Sequence, residues 1–160
     1  MMQLLLRDPD ATEALGHALA ATQVMPAVVY LHGDLGAGKS TLARAWLRAL
    51  GVTGTIRSPT YTLVERYPLP GGGEALHLDL YRIGGAGELE FLALDDAVDA
   101  LWLVEWPERG GGALPAVDLR IDLAVAGAGR TAGLAGLTPG GRAWLERLSN
   151  YAGLQAVNEA

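Results

Sequence analysis

The sequence predicts an α/β protein built around a phosphate-binding loop, and three adjacent observations predict it. A short apolar run, Ala27 to Leu31, reads as a buried parallel strand. It leads into Gly33-Asp34-Leu35-Gly36-Ala37-Gly38-Lys39-Ser40-Thr41, which carries the spacing Gly-x4-Gly-Lys-Ser. Thr41 to Leu50 then shows helical periodicity. Strand, glycine loop and helix in that order make up the setting in which this motif binds phosphate. The glycines let backbone N–H groups turn inward and approach phosphate oxygens closely. The helix beginning near Lys39 adds the positive end of its dipole. Lys39 can reach the β- and γ-phosphates, and the Ser40 hydroxyl can ligate Mg²⁺. Lys39 is also the only lysine in the chain, every other basic residue being arginine.

The remaining elements follow in chain order. Gln3 to Leu6 suits a short edge strand. Asp8-Pro9 opens a helix, with proline tolerated at the first helical position. Ala11, Ala14, Leu15, Ala18 and Leu19 fall on one face of it. After the loop helix, Gly51-Val52-Thr53-Gly54 ends the periodicity. Arg57-Ser58-Pro59-Thr60 is a turn with exposed hydroxyls. Tyr61 to Tyr67 is rich in β-formers, Pro68 to Gly73 is a hairpin loop, and Glu74 to Tyr81 is the returning strand. That strand alternates, with Leu76, Leu78 and Leu80 facing one way and His77, Asp79 and Tyr81 the other. Taken alone, the second face reads as solvated, although its residue types also suit a site.

Gly84 to Gly87 is a flexible break, and Glu88 to Ala100 predicts one or two short helices. Leu101-Trp102-Leu103-Val104-Glu105 is an apolar run ending in a carboxylate. Trp106 to Arg109 turns the chain, and Gly110 to Pro115 is a loop. Val117 to Leu123 alternates as a half-exposed strand, with Arg130 to Leu137 a weaker strand paired with it. Thr138-Pro139 caps a last helix through Leu148, its buried side formed by Ala143, Trp144 and Leu148. A frayed tail is expected from about residue 150.

Length and composition narrow the function. A chain of 160 residues, half of them hydrophobic, suits one domain with a real core. The formal net charge of −6 argues against a nonspecific grip on a nucleic acid backbone. There is no cysteine, hence no disulfide framework and no thiolate metal site. His17, His32 and His77 lack zinc-ligand spacing. No apolar run approaches membrane-span length and no signal-peptide pattern opens the chain, so a soluble cytoplasmic protein is expected.

Three groups can complement the loop. Glu105 ends a buried strand, where open α/β sheets bind ligands, and can hold Mg²⁺ directly or through water. Asp79 can ligate the same ion or orient a water. Thr60 lies about twenty residues after Lys39, where nucleotide switches place a γ-phosphate-sensing hydroxyl. Glu108 and Arg109 read as surface residues, and His32 as a packed strand-end residue.

The loop Gly-Asp-Leu-Gly-Ala-Gly-Lys-Ser, Ser58-Pro59-Thr60, His77-Leu78-Asp79-Leu80-Tyr81-Arg82 and Glu105-Trp106-Pro107-Glu108 occur in one order and spacing. Together they resemble the TsaE family, the ATPase component of bacterial tRNA threonylcarbamoyladenosine synthesis, over roughly residues 10 to 148. The resemblance implies a single-domain P-loop NTPase fold with a mixed β-sheet flanked by helices, and ATP hydrolysis with Mg²⁺. It implies association with the TsaD–TsaB pair that acts on adenosine 37 of tRNA. By the same resemblance Ser40 and Glu105 match metal-binding positions, and Asp79 and Thr60 match catalytic or switch positions. Ser40 stands where the family more usually has threonine. No long basic tail is present, so contact with tRNA is expected through the partners.

Other readings of a phosphate-binding loop compete. A GTPase would need an Asn-Lys-x-Asp type motif, and the single lysine already belongs to the loop. A small-molecule kinase would close an arginine-bearing lid, for which Arg57, Arg82, Arg109 and Arg130 are available, but no lid sequence stands out. A binding module that uses ATP only to set its shape would carry the same residues.

Overall fold

A computed structural model describes residues 1–92, 94–97 and 99–154. One seven-stranded sheet runs through the described chain, ordered β1-β7-β6-β2-β5-β4-β3. Its strands are β1 (Met2–Leu6), β2 (Ala27–His32), β3 (Val64–Pro68), β4 (Glu74–Asp79), β5 (Leu101–Glu105), β6 (Leu119–Ala126) and β7 (Gly129–Gly136). The sheet is mixed. β2 pairs in parallel with both β5 and β6, and β4 in parallel with β5. β3 and β7 run antiparallel to their neighbours. This is the α/β fold with flanking helices that the strand, loop and helix pattern predicts.

Three helices cover one face: α1 (Pro9–Thr22), α2 (Lys39–Ala49) and α4 (Pro139–Ser149). Asp8 caps α1 by accepting from the Ala11 N–H, with Pro9 at the first helical position. Leu15, Leu19, Leu42, Trp46, Leu47, Trp144 and Leu148 pack there against Val29, Leu31, Leu103, Ile121 and Leu134. The other face has thinner cover. Leu76, Leu78, Leu80, Trp102 and Val104 meet the short helix α3 (Ala86–Phe91) and a 3-10 turn over Leu94–Asp96. β5 is thus buried on both faces, which explains its unbroken apolar run.

Several boundaries differ from expectation. β3 starts at Val64 rather than Tyr61, because Pro59 opens a turn in which its carbonyl accepts from the Leu63 N–H and Leu63 takes a φ of 68°. β4 stops at Asp79, whose own carboxylate takes the Tyr81 N–H and turns the chain. β7 is not weak: its eight residues pair with β1 on one side and β6 on the other. Ala143 is exposed, and Gly141 takes the buried place one turn before Trp144. At the end of the described chain Tyr151 and Leu154 pack on the core; most of the tail expected to fray lies beyond them. Residues 155–160 lie outside the described residues. No helix among the described residues is long and apolar enough to cross a membrane.

Candidate functional site

The glycine loop follows β2 directly, and its glycines are there for geometric reasons. Gly33 adopts a φ of 152°, and a Cβ on it would sit 2.5 Å from the Leu123 carbonyl oxygen. Gly38 adopts a φ of 106° as the residue before α2. With glycine there, no side chain caps α2, so the first N–H groups of the helix are left to a ligand. Asp34, Leu35, Gly36 and Thr41 are exposed, while Ala37 and Lys39 are buried.

Lys39 lies across the loop with its ammonium held by the carbonyls of Gly33 and Asp34, the latter at 3.0 Å. The Nζ also stands 4.5 Å from the ring centre of Trp106. Burial pushes its pKa down, opposed by the nearby charges of Glu105, Asp79 and Asp34. Trp106 is one of two non-glycine residues described at positive φ, 56°, in the step straight after Glu105. Its ring packs at 4.9 Å on Tyr81, and Arg109 stacks on both.

Strand register assembles the acidic groups. Glu105 at the end of β5 pairs laterally with Leu31 of β2 on one side and Asp79 of β4 on the other. The loop, Glu105 and Asp79 therefore open from one edge of the sheet, at the carboxyl ends of its parallel strands. The Ser40 hydroxyl donates to both oxygens of Glu105, at 3.1 and 3.0 Å. His77 contacts the same carboxylate, its Nε2 lying 2.6 Å from Oε2. Thr60 donates to Asp79 Oδ2 at 3.4 Å and shares a 2.8 Å hydrogen bond with Ser58.

The face of β4 that bears His77 and Asp79 is not solvated, contrary to the alternation taken alone. Their exposures are 2% and 6%. A period of two says that two faces differ; it does not say that one of them meets water. On that face Thr60, from the segment after α2, meets Asp79, while His77 and Ser40 at the start of α2 both meet Glu105. His77 Nδ1 is buried with no hydrogen-bond partner among the described residues, a condition that costs roughly 1–3 kcal/mol.

Two groups escaped the sequence reading. The sequence places His77 on the polar face of its strand and in a motif, but assigns it no role of its own. Arg130, considered only for a lid, reaches the loop from β7 and donates to the Gly36 carbonyl at 3.1 Å. Ninety-four residues separate those partners, and no local pattern signals the contact. Beside it, a cavity of about 140 Å³ is lined by Asp8, Pro9, Thr12, Gly38, Thr41 and Arg130, among others. His32 packs at the end of its strand as expected, but its Nδ1 is 3.1 Å from exposed Glu108. Arg109 is tied to the Tyr81 carbonyl at 2.6 Å, so it is less free than a surface arginine.

The donor set fits a hard cation. One hydroxyl and one carboxylate meet at the start of α2, and Mg²⁺ takes one or two protein oxygens and completes its shell with phosphate and water. No group of three His, Cys, Asp or Glu side chains able to hold a metal by themselves occurs among the described residues.

Comparison with known proteins gives a consistent result. The family described as threonylcarbamoyl adenosine biosynthesis protein TsaE matches residues 6–132. A tRNA threonylcarbamoyladenosine biosynthesis protein TsaE of Haemophilus influenzae is 47% identical over 98 residues, covering 60% of this chain and 61% of that protein. A Synechocystis protein of the same name is 40% identical over 114 residues, 68% of this chain and 71% of its own length. The Bacillus subtilis one is 36% identical over 122 residues, 75% of each. The crystal structure of Bacillus subtilis YdiB superposes with a TM-score of 0.75 at 26% identity, covering 93% of this chain and 94% of that one.

Proposed function

The chain belongs to the TsaE family of threonylcarbamoyl adenosine biosynthesis proteins, and from that premise we propose that it is the Mg²⁺-dependent ATPase subunit of that synthesis. The observation that carries the reading is the meeting of Ser40 and Glu105 at the mouth of the glycine loop. A loop that only bound phosphate would not require a buried carboxylate against its serine.

The residues divide the work. The N–H groups of Gly36 to Thr41 cradle the phosphates, and Lys39 exchanges its carbonyl partners for phosphate oxygens. Ser40 and Glu105 would hold Mg²⁺, which when bound neutralises charge on the β- and γ-oxygens. Asp79, steadied by Thr60, orients the attacking water. The cavity beside Gly38, Thr41 and Arg130 adjoins the loop and would be available to the nucleoside end. The ATPase works with TsaD–TsaB in the cytoplasm, and the acidic chain meets tRNA through those partners rather than by itself.

The test is steady-state ATP hydrolysis by this chain alone and titrated with TsaD–TsaB. Slow hydrolysis alone and acceleration on assembly are expected, since no glutamine lies in the motifs to place a water and a partner-supplied group can raise such rates by roughly 10³–10⁵. Restored turnover of tRNA modification is the matching readout. A flat response where binding is independently confirmed would overturn partner activation. Phosphoryl transfer to a panel of hydroxyl metabolites would instead identify a small-molecule kinase. Binding without any turnover would identify an ATP-gated module.

A further inference from the structure

We propose that His77 is a positioning residue for the metal site: its Nε2–H holds one oxygen of Glu105 and thereby aims the other at the cation. The inference rests on the Mg²⁺ reading of Ser40 and Glu105. It stands on the geometry of the buried pair.

Both side chains are 3% exposed, and the Nε2 to Oε2 distance is 2.6 Å. An ionised carboxylate only accepts, so the imidazole donates from Nε2. The two oxygens of Glu105 are then unequal. Oε2 accepts from His77 and from Ser40, whereas among the described residues Oε1 accepts from Ser40 alone. Oε1 is the oxygen with capacity to spare for a cation.

A purely structural role accounts poorly for this histidine. Its other nitrogen, Nδ1, is buried with no partner among the described residues. Laterally it pairs with Leu103, which belongs to the apolar core. An apolar residue would pack there without stranding a polar atom. What the imidazole adds is one bond, and that bond goes to the candidate metal ligand. Ser40 sits at a helix start and can turn its hydroxyl; the ring is carried by an interior strand and cannot follow. Carboxylate ligands are commonly oriented by such a neighbour.

The test measures metal binding apart from turnover. Mn²⁺ is titrated into the ADP complex and free Mn²⁺ is read by electron paramagnetic resonance; ADP affinity in EDTA is measured in parallel. For His77→Leu we expect ADP affinity in EDTA as in the unaltered protein and Mn²⁺ affinity lower by roughly 10-fold or more. His77→Gln, whose amide N–H reaches about as far as Nε2, should recover most of that loss. Where His77→Leu fails to melt cooperatively, His77→Asn serves instead, its amide being too short to reach Glu105. Unchanged Mn²⁺ affinity in the folded Leu or Asn variant overturns the proposal, as does a folded Gln variant that recovers nothing. If the unaltered protein itself shows no Mn²⁺ binding in the ADP complex, the metal reading falls first and the proposal with it.

Discussion

At the scale of single residues, the site is a set of groups held ready by one another. Lys39 is satisfied by two carbonyls and an indole face, so phosphate must compete for it. Lys39→Ala should weaken ATP binding by about 1.5–3 kcal/mol, measured by calorimetry beside a melting curve; unchanged affinity in a folded variant would remove the basis of the reading. The ammonium binds phosphate only while charged. Burial sets its pKa below the ordinary 10.5, so affinity for ADP should fall as pH rises through that lowered value, before an ordinary lysine would lose its charge. A pH series of ADP titrations checks this against Lys39→Arg, which stays charged throughout. Glu105→Gln keeps oxygen and shape but removes the charge. It should lower Mg²⁺-dependent hydrolysis by about 100-fold or more, some 2.7 kcal/mol in the barrier, with a smaller effect on ATP binding. Near-normal rates at saturating Mg²⁺ would count against Glu105 as a ligand.

At the scale of elements, α4 shows how a remote helix is fastened to the sheet that carries the site. Thr138 caps it by accepting from the Gly141 N–H at 3.0 Å, and donates to Asp118 at 2.8 Å. Asp118 in turn accepts from the Val28 N–H, in the strand that leads to the loop. Gly141 presses so closely on Asp118, the residue before β6, that an added Cβ would meet its carbonyl oxygen at 1.9 Å. Thr138→Ala should therefore cost about 1 kcal/mol of stability, and Gly141→Ala about 1–3 kcal/mol or more through forced backbone movement. Urea melts would read both. Nucleotide affinity in the folded variants should be unchanged, because α4 contributes nothing to the loop; a large loss would mean that the cap chain reaches the site through β2.

At the scale of the whole molecule, nucleotide binding and folding are one equilibrium. The loop, β4, β5 and the Ser58–Thr60 segment come together only in the folded chain, so a nucleotide at 100 times its dissociation constant should add about 2.7 kcal/mol to stability. For a chain of this size that corresponds to a rise in melting temperature of roughly 5–11 °C. The rise should be seen with ATP and ADP, be larger with Mg²⁺, and vanish in Lys39→Ala. An equal rise in that variant would place the nucleotide elsewhere.

The sequence by itself determined the phosphate loop, its flanking strand and helix, the caps at Asp8 and Thr138, and the carboxylate at the end of an apolar strand. These are local matters: glycine conformations, a capping side chain and a hydrophobic period are written within a few neighbouring residues. Tertiary structure decided which distant residues meet. Register set Asp79 beside Glu105, and packing on both sides of β4 turned a polar stripe into a buried cluster. It brought Arg130 to Gly36 and left His77 with one partner instead of two. Alternation along a strand tells which residues share a face. What covers that face depends on chain that is far away in sequence, and no local pattern encodes it.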